Sequence, residues 1–85
     1  MGRDIVQEIY GELTRIMRDF FDDDDIVATS ELTADEVDGW DSLAHIRLML
    51  TMEREFKVKF TAAEVSSFKN VGDLADALAR KTSRG

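Results

Sequence analysis

The 85-residue chain carries 18 acidic and 11 basic residues, a formal net charge of -7, and a chain this short buries only about 60–65% of the surface its unfolded form exposes, enough for one modest core but no deep walled cleft. The acidity disfavours nucleic acid and anionic lipid and favours partners with basic patches, while a hydrophobic content of 44% is too high for a disordered acidic segment. Cysteine is absent, which excludes disulfides and thiolate-bound metal, and no apolar run long enough for a membrane span or an export signal is present.

These features, with no linker, repeat or proline, predict one domain over residues 1–85: a free-standing cytoplasmic monomer with no membrane insertion. The first helix is expected from about Asp4 to Phe21. Ile5, Ile9, Leu13, Ile16 and Phe20 fall on one helical face, and Met17 and Phe21 widen it. Asp4 reads as its N-cap, with Gln7 in the capping-box position. Gly11 in mid-helix costs about 1 kcal/mol relative to alanine. Asp22 to Asp25 break the pattern, and a long loop to Asp41 follows, with Ile26, Val27, Leu32 and Val37 as inward anchors. Connections of this length are uncommon in compact domains and often functional.

The second helix is expected from Ser42 to about Glu55 with Asp41 as N-cap. Leu43, Ile46, Met49, Leu50 and Glu53 are placed on or beside its inner face, with Leu48 and Met52 flanking. Phe56 to Phe60 alternate like a strand, but with no second strand to pair with they read as an extended connector whose alternate side chains plug the core. Thr61 and Glu64 form a capping box for a short third helix, and Asn70 caps a last helix that turns Val71, Leu74, Ala75 and Leu78 inward. The polar end, Arg80 to Gly85, is expected to fray. The fold class is all-α, a four-helix bundle of three main helices and one short one.

One segment carries chemistry: Asp38-Gly39-Trp40-Asp41-Ser42-Leu43, at the junction of the long loop and the second helix. A serine at a helix N-terminus sits where open backbone N–H groups and the positive end of the dipole favour negative charge, so a phosphodiester is well tolerated there. The competing reading is an ordinary serine beside a capping aspartate. A serine hydrolase is disfavoured because the elbow G-x-S-x-G is not met: Gly39 lies three residues before Ser42, and position 44 is alanine. The single histidine, His45, reads as a solvent-facing or rim residue, and Trp40 as a loop anchor. Asp22 to Asp25 do not fit a calcium loop, for want of its glycine and terminal glutamate.

At Asp41-Ser42-Leu43 the sequence resembles the acyl carrier protein family, including the related domains of polyketide and nonribosomal peptide synthases. The resemblance extends through Ile46, the Glu53-Arg54-Glu55-Phe56 ending, and Phe68-x-x-Val71-x-x-Leu74, most of the chain. It implies a four-helix carrier that is not an enzyme. A phosphopantetheinyl transferase would place a 4'-phosphopantetheine arm from coenzyme A on Ser42, with Asp41 in support. The arm would hold acyl groups as thioesters for acyl-loading and acyl-processing enzymes. The same resemblance makes Leu43, Ile46, Arg47, Met49, Leu50 and Glu53 the partner and acyl recognition positions, with Ile46, Met49 and Leu50 as candidates to line an acyl pocket.

The family's fatty-acid members usually carry acids two and five residues after the serine, where this chain has Ala44 and Arg47, and Arg54 stands where another acid is frequent. Those departures, with the Gly39-Trp40 lead-in, point to a specialised fatty-acid, lipid or polyketide pathway. Within the same mechanism an aminoacyl or peptidyl cargo stays open; outside it, the alternative is an unmodified helical module that docks a partner through its second helix.

Overall fold

A computed structural model describes residues 5–82. Four helices account for most of them: α1 (Ile5–Phe21), α2 (Ser42–Phe56), α3 (Ala62–Ser67) and α4 (Val71–Thr82), with a single 3-10 turn at Ala34–Glu36. The proposed Asp4 cap lies outside the described residues. α1 buries Ile9, Leu13, Ile16 and Met17, the face set by its apolar period, and packs along α4, which contributes Val71, Leu74, Ala75, Ala77 and Leu78.

The inner face of α2 differs from the expected one. Leu48, Met49 and Met52 enter the core, while Leu43, Ile46 and Leu50 are 59%, 53% and 60% exposed. The physical reason is that α2 carries two apolar stripes at helical spacing, Leu43-Ile46-Leu50 and Leu48-Met49-Met52, and its sequence permits either to face inward. The half-buried His45 and Phe56 extend the Leu48-Met49-Met52 stripe and give it the longer contact with the bundle.

Each remaining turn has an identifiable cause. α1 ends where Asp22 takes a left-handed φ of 53 and the Asp23 N–H returns to the Arg18 carbonyl at 3.0 Å. The long loop is tied down along its length, which is how so many backbone polar groups are accommodated without a regular element. The Ala28 N–H donates to Thr14 Oγ1 at 3.0 Å, and Arg18 Nε to the Ile26 carbonyl at 2.7 Å. Farther on, the Val71 and Gly72 N–H groups donate to the Leu32 and Ser30 carbonyls at 2.8 and 3.1 Å, so the loop satisfies donors at the start of α4. Ile26, Ala28 and Val37 are its buried anchors and Leu32 is half-buried, but Val27 is exposed at 56%. Val27 lies between the buried Ile26 and Ala28, and successive side chains of a non-helical, strand-like stretch point to opposite sides while alternate ones share a face.

α2 takes in Phe56 and ends on Lys57, left-handed at φ 58; Phe56 and, in the connector that follows, Val58 and Phe60 are half-buried while Lys57 and Lys59 stay in solvent. The Glu53 carboxylate pins this connector by accepting the Phe60 N–H at 2.7 Å. The capping box of α3 is formed in both directions, with the Glu64 N–H to Thr61 Oγ1 at 3.1 Å and the Thr61 N–H to Glu64 Oε1 at 2.8 Å. Asn70 Oδ1 caps α4 through the Asp73 N–H at 2.8 Å. α4 runs through Arg80, where the expected frayed tail begins. It continues to Thr82, held by Lys81 Nζ on Glu64 Oε2 at 3.1 Å and over the Phe60 ring at 5.7 Å, and by Thr82 Oγ1 on the Leu78 carbonyl at 2.7 Å. Residues 83–85 lie outside the description.

Candidate functional site at the head of the second helix

Three devices place Ser42 at the first position of α2. Gly39 turns the chain with φ +88, a left-handed value that side chains resist. Trp40 then packs on Phe21 of α1, ring centroids 5.8 Å apart, which fixes the loop against the bundle. Asp41, in extended backbone, accepts the Ala44 N–H on its side chain at 2.8 Å and the His45 N–H on its carbonyl at 2.8 Å. The Ser42 and Leu43 N–H groups have no acceptor four residues back, as the first turn of any helix dictates. Ser42 itself is exposed, and its hydroxyl makes no hydrogen bond among the described residues.

An open groove of about 530 Å³ lies against Ser42, between the start of α2 and α3, lined by Trp40, His45, Ile46, Val65 and Phe68 among others. Trp40, His45 and Phe68 also line a smaller cavity of about 30 Å³ that reaches the buried Met49 and Leu74. That is room for water, which needs about 10–15 Å³ on this measure.

His45 is not the rim residue expected from the sequence. It is half-buried and bonded on both sides: Trp40 Nε1 donates to its Nδ1 at 3.1 Å, and its Nε2 lies 3.0 Å from the Val65 carbonyl of α3. An indole N–H only donates and a carbonyl only accepts, so this arrangement assigns the proton to Nε2. The imidazole also stacks on Trp40, centroids 6.0 Å apart. The loop, α2 and α3 are thereby fastened around the groove. The expectation of Trp40 as an anchor agrees with this. Sequence offered one weak signal for the histidine, its spacing of five from Trp40; its other partner is a backbone carbonyl twenty residues away, which no side-chain pattern encodes.

α3 needs such fastening because six residues make a helix that is marginal alone. Phe60 and Phe68 meet edge-on beneath it at 5.4 Å. Glu64 adds the tie to α4, and the Thr61 N–H, followed by the Lys81 ammonium, holds the Glu64 carboxyl below its ordinary range.

Residues 4–78 match the family described as a phosphopantetheine attachment site. The fold is that of a solved structure, the holo acyl carrier protein of Geobacter metallireducens, at 46% identity and a TM-score of 0.84, over 89% of this chain and 87% of that one. The chain belongs to the acyl carrier protein family. No curated protein matches it. Members of this family are carriers rather than enzymes, and their cofactor is a covalently attached 4'-phosphopantetheine. This acyl carrier protein meets the demands of that cofactor: an unengaged primary hydroxyl, a helix start that favours a phosphodiester, and an open groove beside it.

The remaining positions singled out from sequence divide into three groups. Leu43, Ile46, Arg47 and Leu50 share the outer face of α2. Met49 points inward, at the small cavity. Glu53 is half-buried and committed to the connector. No described helix is long and apolar enough to cross a membrane, and no group of three or more metal-ligating residues occurs among the described residues.

Proposed function

We propose that Ser42 Oγ is the point at which a phosphopantetheinyl transferase attaches the arm of coenzyme A, and that the carrier serves a specialised fatty-acid, lipid or polyketide pathway in the cytoplasm. The observation that carries this reading is the free, exposed hydroxyl at the first position of α2, beside an open groove. When bound, the arm supplies a thiol on which an acyl group is held as a thioester.

The chain's own residues do the positioning. Asp41 uses its carboxylate to close the α2 cap, which leaves the Ser42 and Leu43 N–H groups to face a phosphodiester at the positive end of the helix. His45 has both ring nitrogens engaged, so it is not free to serve as a base toward Ser42. That supports leaving activation of the hydroxyl to the transferase. Leu43, Ile46, Arg47 and Leu50 form the surface nearest Ser42 for acyl-handling enzymes. Met49 bounds the inner cavity, which an acyl chain enters only if Trp40, His45 or Phe68 moves. The specialised pathway rests on Arg47 and Arg54, exposed cations on a helix whose only acids are Glu53 and Glu55.

Incubation with coenzyme A, magnesium and a promiscuous transferase tests the reading by intact mass. The wild-type chain gains a single phosphopantetheinyl increment, and Ser42→Ala gains none while keeping its helical content. An increment on Ser42→Ala places the attachment elsewhere, and loss of the fold makes the serine structural.

A further inference from the structure

The charge of this acidic protein is unevenly distributed. Between Asp19 and Asp41 stand ten carboxylates and no lysine or arginine, whereas residues 42–59 hold four cations, Arg47, Arg54, Lys57 and Lys59, and two acids. Those two acids are occupied: Glu53 accepts the Phe60 N–H, and Glu55 lies 3.4 Å from Arg15. All four cations are exposed, and none makes an ion pair among the described residues. The outer face of α2, continued by Lys57 and Lys59 of the connector, is thus a net-positive surface on a protein of net charge -7.

The same face carries the stripe Leu43, Ile46 and Leu50, three large apolar side chains each more than half exposed at helical spacing. At its far end Leu50, Glu53, Arg54, Lys57, Val58 and Lys59 line a shallow depression of about 420 Å³, three cations beside the one carboxylate that accepts the Phe60 N–H. From Ser42 to Arg54 the helix rises about 18 Å, at 1.5 Å per residue. The order along α2 is therefore the modifiable serine, then apolar contacts, then a cluster of cations.

We infer that this face docks proteins whose carrier-binding surface pairs an apolar socket with a cluster of carboxylates, the carboxylates lying about 18 Å from the mouth that receives Ser42. Charge complementarity selects the occupant: Arg47, Arg54, Lys57 and Lys59 attract an acidic rim, and Asp38 and Asp41 beside Ser42 repel one. The two ends so opposed fix the direction in which a partner lies along α2. A basic docking patch is met by unpaired cations and rejected. The inference rests on the carrier reading for the identity of the partners as acyl-handling enzymes, not for the chemistry of the surface.

The test uses two helical peptides with leucines at i, i+4 and i+7, one flanked by glutamates and one by lysines, titrated into the ¹⁵N-labelled full chain. The glutamate peptide shifts the amides of Leu43, Ile46, Arg47, Leu50, Arg54 and Lys57, and its affinity falls at least tenfold between about 50 and 500 mM salt. The lysine peptide gives no such response. Reversing Arg47, Arg54 and Lys57 together to glutamate inverts the preference; their substitution by glutamine abolishes the glutamate response without inversion, and both variants keep the wild-type circular dichroism.

Binding of the lysine peptide to the wild-type face, shifts elsewhere, or no shift at millimolar peptide overturns the inference. So does attachment of this face to phosphatidylglycerol vesicles, or dimerisation that the triple reversal removes. Arm loading, measured by mass on the same sample, is a separate reading. A loaded protein deaf to the glutamate peptide sinks the docking face alone. An unloaded one sinks the carrier role, and the peptide response still decides the surface.

Discussion

Replacing His45 by alanine removes the fastening between the loop, α2 and α3. Two hydrogen bonds are lost, from Trp40 Nε1 and to the Val65 carbonyl, both partly buried. Each is worth about 0.5–1.5 kcal/mol net, so the gross loss is about 1–3 kcal/mol. Alanine returns about 0.5 kcal/mol through its better helix propensity, leaving a destabilisation of about 0.5–2.5 kcal/mol. For a domain of this size that lowers Tm by about 2–20 °C. Trp40 is the only tryptophan in the chain, so the emission comes from the residue that makes this contact. Urea titrations followed by circular dichroism and by Trp40 fluorescence should show an earlier midpoint and, in the native baseline, red-shifted emission from a wetter indole. Trp40→Phe keeps the aromatic packing and forfeits one of the two bonds, so it should cost about half as much. An unchanged midpoint with unmoved emission in His45→Ala would refute the fastening.

Glycines offer a pair of opposite predictions. Gly11→Ala should raise stability by about 0.5–1 kcal/mol, because α1 is helical there and nothing lies within 4 Å of the added methyl. Gly72→Ala should lower it by about 1–3 kcal/mol, since the new Cβ would sit 2.9 Å from the Ser30 carbonyl oxygen; thermal melts of both variants decide. For pH, Glu64 has its folded-state carboxyl held below the unfolded value by the Thr61 N–H and then by Lys81. Its contribution is therefore present above the ordinary carboxylate range and is lost as pH falls through the folded value. Glu64→Gln should flatten that acid limb, and an identical pH–stability slope in wild type and variant would contradict the assignment. Tyr10 is raised by burial and then by Asp76 and Glu31, so its contribution holds below the ordinary phenol range and fades as pH climbs past it.

Much of this fold was legible because local rules point one way at its joints. Asp41, Thr61 with Glu64, and Asn70 are caps with short side-chain acceptors at the right offsets, and each forms its bond in the structure. α1 has a single apolar period, of which Ile9, Leu13 and Ile16 are buried and Phe20 half-buried. α2 was legible as a helix but not as to its inner side, since a helix with two apolar stripes leaves the choice to tertiary contact. The missed 3-10 turn at Ala34–Glu36 carried a signal, Thr33 with Glu36 three residues on, and the Thr33 N–H does donate to Glu36 Oε1 at 3.0 Å. The Lys81 tie that keeps α4 helical to Thr82 depends on Glu64 and Phe60 being brought near it, which local composition cannot express. At the site, the serine and its cap were readable, because helix-start chemistry is local. The role of His45 was not, because half of it belongs to a distant backbone carbonyl.

The most direct test of the account is the position of the modification. The chain is loaded from coenzyme A and cleaved at arginine, and the peptide from Asp19 to Arg47 is fragmented in a mass spectrometer. That peptide also contains Thr29, Ser30 and Thr33, so the assignment is a choice among hydroxyls. The account predicts the whole phosphopantetheinyl mass on Ser42; finding it on any of the other three, or outside this peptide, would contradict it.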